Sequence, residues 1–294
     1  MKIAVCLGAK DEVELIGAAV AHLRRIGVDH IIACDVSSRD GTRQILDRLA
    51  AEPWLEVMPV DDLDPKAEEG LDQRVMDRAR AAGADWLLFL DADEFALPVG
   101  GSLKAILART AADALEIARY NVPLGPRGPL MAPPEGEVSP ETVHLFVPQE
   151  DRAVIRSRIR ADQLKPWIQG IPDPKIMVRL SAVEGVAEGG HGVTGSDGRR
   201  RPAEVAAGIV IAHLPFTTAP RFARKVENMR RVIGAVGHLW GPNSAWHWRR
   251  WLDNIDAHGG VEGELARNRL SEAEIVALRS SGLIRTAAEI IGAR

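Results

Sequence analysis

Five consecutive apolar residues, Trp86-Leu87-Leu88-Phe89-Leu90, run directly into Asp91-Ala92-Asp93-Glu94. A strand with one face in water alternates apolar and polar residues, so an unbroken apolar run belongs to a strand covered on both faces, the middle of a parallel sheet. Parallel strands need crossovers, and the preceding chain supplies them. Residues 3–7 read as a first strand. A helix from about Asp11 follows, with Ile16, Ala19, Val20, Leu23 and Ile26 at three- and four-residue steps. Residues 29–36 give a second strand, Asp40-Gly41-Thr42 opens a second helix through Ala50, 55–60 form a third strand, and a helix over 68–82 leads into the apolar run. The order is βα repeated, which predicts an α/β sheet.

Between Pro123 and Pro148 the chain turns rich in Pro and Gly, which predicts a long excursion over the sheet. Strand-like pieces return at 143–147, 175–180 and 209–213. From Thr217 the pattern is helical to the end: Phe222, Val226, Met229, Ile233 and Val236 form a stripe, and Thr218 and Pro220 are placed as N-terminal signals. With 294 residues, 46% apolar and 27% charged, the composition is globular. Lys plus Arg number 37 against 41 Asp plus Glu, so no basic excess points to nucleic acid. Cys6 and Cys34 are too few for a disulfide framework and are expected as buried thiols. No apolar run nears the roughly 20 residues of a membrane span. A cytoplasmic protein is expected, with peripheral contact at the inner face of the membrane left open.

Carboxylates at the carboxyl end of a parallel strand sit where open α/β sheets place their ligands. Asp91 and Asp93 repel each other unless a cation neutralises them, and hard oxygen donors suit Mg2+ or Mn2+ shared with a substrate diphosphate. The alternative is a solvated acidic turn.

Lys10-Asp11-Glu12, Gly27-Val28-Asp29-His30, Asp35-Val36-Ser37-Ser38-Arg39-Asp40-Gly41-Thr42 and Trp86 to Phe95 occur in the order and spacing of a known set. Together they resemble the family 2-like glycosyltransferases with a GT-A fold. The resemblance covers about the first 100 residues well and the stretch to Lys225 more weakly. It implies a GT-A-like, Rossmann-related mixed sheet flanked by helices, and transfer from a nucleotide sugar, a UDP-sugar above all, to a saccharide or lipid-linked acceptor with inversion. It further implies that Asp91 and Asp93 hold Mn2+ or Mg2+ on the donor diphosphate, and that Lys10, Asp11, Glu12 and Asp35 hold the nucleotide. Asp40 joins that set, with helix capping as its alternative, and Asp11 stands where the family has Asn. Gln73 and Arg74 fall where the family places polar residues toward the donor, and Lys225 where a donor-phosphate contact is expected. A non-catalytic nucleotide-sugar-binding or scaffold protein is the rival reading.

GT-A enzymes commonly add a late histidine to the metal shell, which makes His191 and His213 candidates. For the general base, Glu184 and Glu188 are named by position, with Glu94 and Asp173 behind them; Asp93 and Glu94 belong to the catalytic set. Lys175, Arg179, Arg221, Arg224, Lys225, Arg230 and Arg231 read as a solvated basic face. Trp248, Trp251, Leu252 and Ile255 share one helix face and are expected in the core. Trp246 lies off that stripe and is the acceptor candidate. The expected organisation is a catalytic domain over 1–216, with a nucleotide-binding half (1–100) and an acceptor half (101–216), followed by a helical extension over 217–294. Sugar, acceptor and oligomeric state are not legible.

Overall fold

The structure is a computed structural model and describes residues 1–62, 64, 70–132, 136–239, 241 and 245–292. The strands β1 (Ile3–Ala9), β2 (His30–Val36), β3 (Leu55–Val60) and β4 (Trp86–Asp91) are mutually parallel, in the spatial order β4-β1-β2-β3. Alternate residues of each strand feed opposite cores. Val5, Leu7, Ile31, Leu88 and Leu90 pack with Ile16, Val20 and Leu23 of α1 (Ile16–Arg25). Ala4, Cys6, Ile32, Cys34, Leu87 and Phe89 pack on the other face with Val75, Met76 and Ala79, which belong to α3 (Leu71–Ala81), while α2 (Thr42–Leu49) crosses from β2 to β3. Double-sided burial therefore explains the unbroken apolar runs. Cys6 and Cys34 are buried free thiols with sulfurs 3.7 Å apart.

After Ala92-Asp93 the chain leaves the sheet through β5 (Glu94–Pro98) and α4 (Leu103–Leu107), and returns in β6 (Ala114–Ile117) and β7 (Arg119–Asn121). The excursion holds β8 (Leu124–Gly125), β9 (Gly128–Pro129), β10 (His144–Phe146) and α5 (Arg152–Ala161) before β11 (Lys175–Arg179) inserts antiparallel between β4 and β6. The mixed α/β sheet flanked by helices is the architecture the motifs imply. A meander of β12 (Gly185–Val186), β13 (Val193–Thr194) and β14 (Arg200–Arg201) follows, and β15 (Glu204–Val205) extends the sheet beside β6. Next, β16 (Ile209–His213) pairs with β5 and β7 in a second sheet.

The C-terminal region holds α6 (Ala219–Val236), α7 (Trp246–Ala257), α8 (Gly260–Arg267), α9 (Glu272–Ser280) and α10 (Ala287–Gly292). It is not helical throughout: β17 (Ile284–Thr286) pairs with β10 of the excursion. Thr218 caps α6 by accepting from the Arg221 amide at 3.3 Å. No helix among the described residues is long and apolar enough to cross a membrane.

The first helix starts at Ile16, later than its periodicity suggests. Asp11 has φ 52°, and the amides of Asp11, Glu12 and Val13 donate to Ser38 Oγ, Thr42 Oγ1 and Asp40 Oδ2 at 2.9, 2.8 and 3.1 Å. Side chains of the next loop take amides that a longer helix would have used internally.

Candidate active site

The carboxyl ends of β1, β2 and β4 open on a cavity of about 490 Å3, within the usual size of a small-molecule site. Gly8, Asp91, Ala92 and Asp93 line it at the sheet edge; Lys10, Val36 and Asp62 line the side toward β3. Arg119, Asp173, His191 and His213 line it beyond β4, and Lys225, Asn228 and Met229 close it from α6. Gly8 lets Asp91 lie against β1, because a β-carbon there would stand 3.0 Å from Asp91 Oδ1. Gly190, at φ 70°, lets the turn before His191 rest on Phe89, whose side chain a β-carbon would strike.

Four acids and four bases interlock at this edge. Arg221, buried at 1% exposure, donates to both oxygens of Glu12 at 2.6 and 2.8 Å and to Asp93 Oδ2 at 3.0 Å. Lys225 Nζ donates to Asp93 Oδ2 at 2.5 Å. Lys175 donates to Asp91 Oδ2 at 3.0 Å, Arg119 pairs with Glu94, and Glu94 Oε2 accepts from the Asp91 amide at 2.9 Å. Burial pushes the Asp93 carboxyl up, but the Lys225 and Arg221 cations outweigh it and hold it far below the ordinary range. Burial likewise works against the Lys175 charge, and Asp91 and Glu94 restore it, raising its pKa. The expected carboxylate repulsion is thus answered by the chain's own cations.

Lys175 and Arg221 correct the sequence reading of a solvated basic face: both are buried. Their partners come from other elements, 84 residues away for Lys175–Asp91 and 209 for Arg221–Glu12, so helical or strand periodicity could not identify them. Lys175 did carry a signal, a lysine opening directly onto the apolar run Ile176-Met177-Val178; Arg221 carried none.

The two candidate histidines are held in one tautomer. His191 Nδ1 donates to the Pro174 carbonyl at 2.7 Å. Asn121 Nδ2 donates to the carbonyls of Ile168 and Gly170, so its Oδ1 accepts from His213 Nδ1 at 2.8 Å. Each ring therefore keeps its lone pair on Nε2. Burial, then Lys175 and Arg119, lower the His191 pKa to about 4; burial holds His213 well below its ordinary value despite Asp93. His213 Nε2 stands 3.8 Å from Asp93 Oδ2. A neutral nitrogen lone pair beside a carboxylate oxygen is a donor set that fits a divalent ion such as Mn2+ better than Mg2+, which prefers oxygen alone. Among the described residues no three His, Cys, Asp or Glu side chains converge on one point, so the shell is not preassembled.

The other sequence candidates divide sharply. Lys10 lines the cavity, bonded to Asp62 and the Ser37 carbonyl at 2.7 Å each. Glu12 lines it as the partner of Arg221. Asp11, Asp35 and Asp40 do not line it. Asp11 Oδ1 accepts from the Arg39 and Asp40 amides, and its Oδ2 from Asn228. Asp35 accepts from the Ser38 amide, and Asp40 Oδ1 from the Thr42 amide and hydroxyl. Gln73, bonded to Asp77, and Arg74 stay on α3 away from the cavity. Glu94 is buried behind Asp91. Glu184 is exposed and accepts from the Ser196 amide; the side chain of Glu188 lies outside the described residues. Asp173 is the acid beyond the strand end that the structure brings to the cavity. Trp251 and Ile255 are core residues as the spacing predicts, whereas Trp248 and Leu252 are only half-buried, and Trp248 lines the cavity.

The profile of the family described as Glycosyl transferase family 2 matches residues 4–182. No curated protein matches the chain in sequence. Among solved structures, TarS of S. aureus is 15% identical with a TM-score of 0.40; the match covers 88% of this chain and 43% of that one, so the chain spans less than half of that protein. Glucosyl-3-phosphoglycerate synthase from Mycobacterium tuberculosis, in complex with Mn2+, UDP and glucosyl-3-phosphoglycerate, is 17% identical with a TM-score of 0.37, covering 83% of this chain and 81% of that one.

Proposed function

The chain belongs to glycosyl transferase family 2, and from that premise we propose that it moves a sugar from a nucleotide-sugar donor, a UDP-sugar first of all, to a saccharide or lipid-linked acceptor, with inversion. The observation that carries this reading is the balanced cluster of Asp91, Asp93, Lys175 and Lys225 at the mouth of the cavity beyond β4. An arriving diphosphate competes with Asp93 for the Lys225 ammonium, which can turn from carboxylate to phosphate oxygen without leaving the cavity. Lys175, Arg119 and Arg221 are more deeply buried; they favour the charged forms of Asp91 and Asp93, pair with Glu94 against the upward push of its burial, and fix the strand end. The space beside Lys10, Val36 and Asp62 takes the nucleoside, in the crevice where parallel-sheet proteins hold ligands.

Asp91, Asp93 and His213, with His191, are the residues that would hold a divalent ion. When bound, such an ion supplies Lewis-acid neutralisation of the departing diphosphate. In the transfer, the acceptor hydroxyl oxygen bonds to the anomeric carbon as that carbon parts from the diphosphate oxygen, and the hydroxyl proton passes to the ionised carboxylate of Asp173, which lines the cavity.

Thermal shift with UDP, GDP, dTDP and CMP, each with and without Mn2+, tests the donor site, since a ligand bound only by the folded chain raises Tm. Release of the matching nucleoside diphosphate from its sugar conjugates, with cell extract as acceptor source, tests turnover. One nucleotide should stabilise the chain and be released. No shift with any nucleotide, or no release, would overturn the reading.

A further inference from the structure

We propose that the far end of the cavity is an acceptor subsite for a pyranose ring, an inference that rests on reading the chain as a glycosyltransferase. Four indoles line this end: Trp246, Trp248 and Trp251 from α7, and Trp167 from the turn before β11. Their centroids are 5.3 Å apart for Trp167–Trp246, 5.7 Å for Trp167–Trp251 and 4.9 Å for Trp248–Trp251. Core packing does not account for them all. Phe216, Phe222, Trp251 and Ile255 already form the buried cluster under α7, while Trp246 and Trp248 remain half-buried at the cavity wall.

An independent observation points to a polar occupant. Trp251 is 2% exposed, yet its indole N–H has no hydrogen-bond partner among the described residues. Buried indole N–H groups normally find an acceptor, and a ligand oxygen would provide one. Asp173 and Arg156 line the same end. Asp173 is held ionised by Arg152 and Arg156 at 2.8 to 2.9 Å and is 43% exposed, so it retains oxygen lone pairs for further donors. A pyranose matches this combination: an apolar C–H face for the indoles, and a rim of hydroxyls for the carboxylate, the guanidinium and the indole N–H.

Position selects the acceptor over the nucleoside. Lys225, which meets Asp93, lies 5.8 Å from the Trp248 centroid, so a ring on Trp248 is next to the donor diphosphate position. Lys10, Val36 and Asp62 lie on the opposite side, toward β3.

Saturation-transfer NMR on the full chain, with UDP and Mn2+ present, tests the subsite. The probes are methyl β-glucopyranoside, maltose, cellobiose and N,N′-diacetylchitobiose, with sorbitol as a polyol lacking a pyranose face. Transfer to the ring C–H protons of at least one pyranoside should exceed that to sorbitol by about threefold or more, and should fall about fivefold in Trp246→Ala and in Asp173→Asn. The isosteric second variant decides the matter should the first fail to fold. Pyranosides no better than sorbitol, or signals retained in a folded variant, would overturn the subsite. A UDP thermal shift on the same samples separates the two readings. A shift without pyranoside discrimination removes the subsite alone; no shift with discrimination leaves a pyranose site but overturns its role as acceptor subsite together with the donor site; neither removes both.

Discussion

The two rims of the sheet edge use the same residue type differently. On the β2 rim, Asp11, Asp35 and Asp40 take their closest contacts from backbone amides of their own and neighbouring loops and from the Asn228 amide and Thr42 hydroxyl, with Arg43 and Arg224 only at 3.8 and 3.7 Å from Asp35 and Asp40. On the β4 rim, Asp91, Asp93 and Glu94 are met by Lys and Arg side chains. An amide is fixed by the chain that carries it, so its carboxylate partner acts as a brace. An ammonium on a flexible stem can exchange one anion for another, so its partner belongs to a site that can receive a charged ligand.

The sharpest way to break this comparison is Arg221→Met, which leaves Glu12 and Asp93 buried with less compensation. Removing one partner of a buried ionic cluster costs about 3 to 5 kcal/mol, and urea unfolding should show it; a loss under about 1 kcal/mol would mean that the β4 rim is not held by charge. Acid acts on His191 and His213 at the cavity and, away from both rims, on His22. This ring is 2% exposed, accepts from Arg25 and donates to the Ala96 carbonyl. Burial holds its pKa down at about 4 against an ordinary 6.5. The unfolded chain takes up the proton at higher pH, so this stability is full above pH 6.5 and falls by about 3 kcal/mol as pH drops through 4. Unfolding followed against pH in the parent and in His22→Gln checks it, the variant losing the His22 share of the slope and keeping that of His191, His213 and His247.

Lys225→Met sharpens the contrast. Lys225 is 20% exposed and one of two cations on Asp93, so the variant should lose about 2 kcal/mol of stability, less than Arg221→Met. Donor turnover should nevertheless drop by about 100-fold, the order expected for losing one preorganised charge on a leaving group. Equal turnover would return Lys225 to a surface role. The smallest effect belongs to the β2 rim: Asp40→Ala should cost about 1 kcal/mol, as for a lost helix cap, and leave UDP affinity within about twofold of the parent when measured on fully folded protein. A large affinity loss there would make the brace a ligand after all.

The sheet was legible because a strand buried on both faces must be apolar at every position, and Ile3 to Leu7 and Trp86 to Leu90 are. The acidic strand end was legible for the same reason, since charge can begin only where burial stops. On the β2 rim an aspartate that binds a nucleotide and one that binds an amide have the same sequence, so the two readings part only in space, where the Ser38, Arg39 and Thr42 amides meet Asp35, Asp11 and Asp40. Arg221 and Lys175 were hidden by distance along the chain, and Trp248 because its helical spacing fits a core stripe whether its outer edge meets protein or a cavity.

The reach of Arg221 across 209 residues to Glu12 also has a consequence in time. Contacts so far apart in sequence close late, after their intervening loops have been ordered. During synthesis the sheet that carries Glu12 and Asp93 emerges first, and its acids remain without two of their cations until α6 follows. The β4 edge is therefore completed only when α6 arrives, and a ribosome that stalls before residue 219 leaves Glu12 and Asp93 without Arg221 and Lys225 while Lys175 and Arg119 can already meet Asp91 and Glu94.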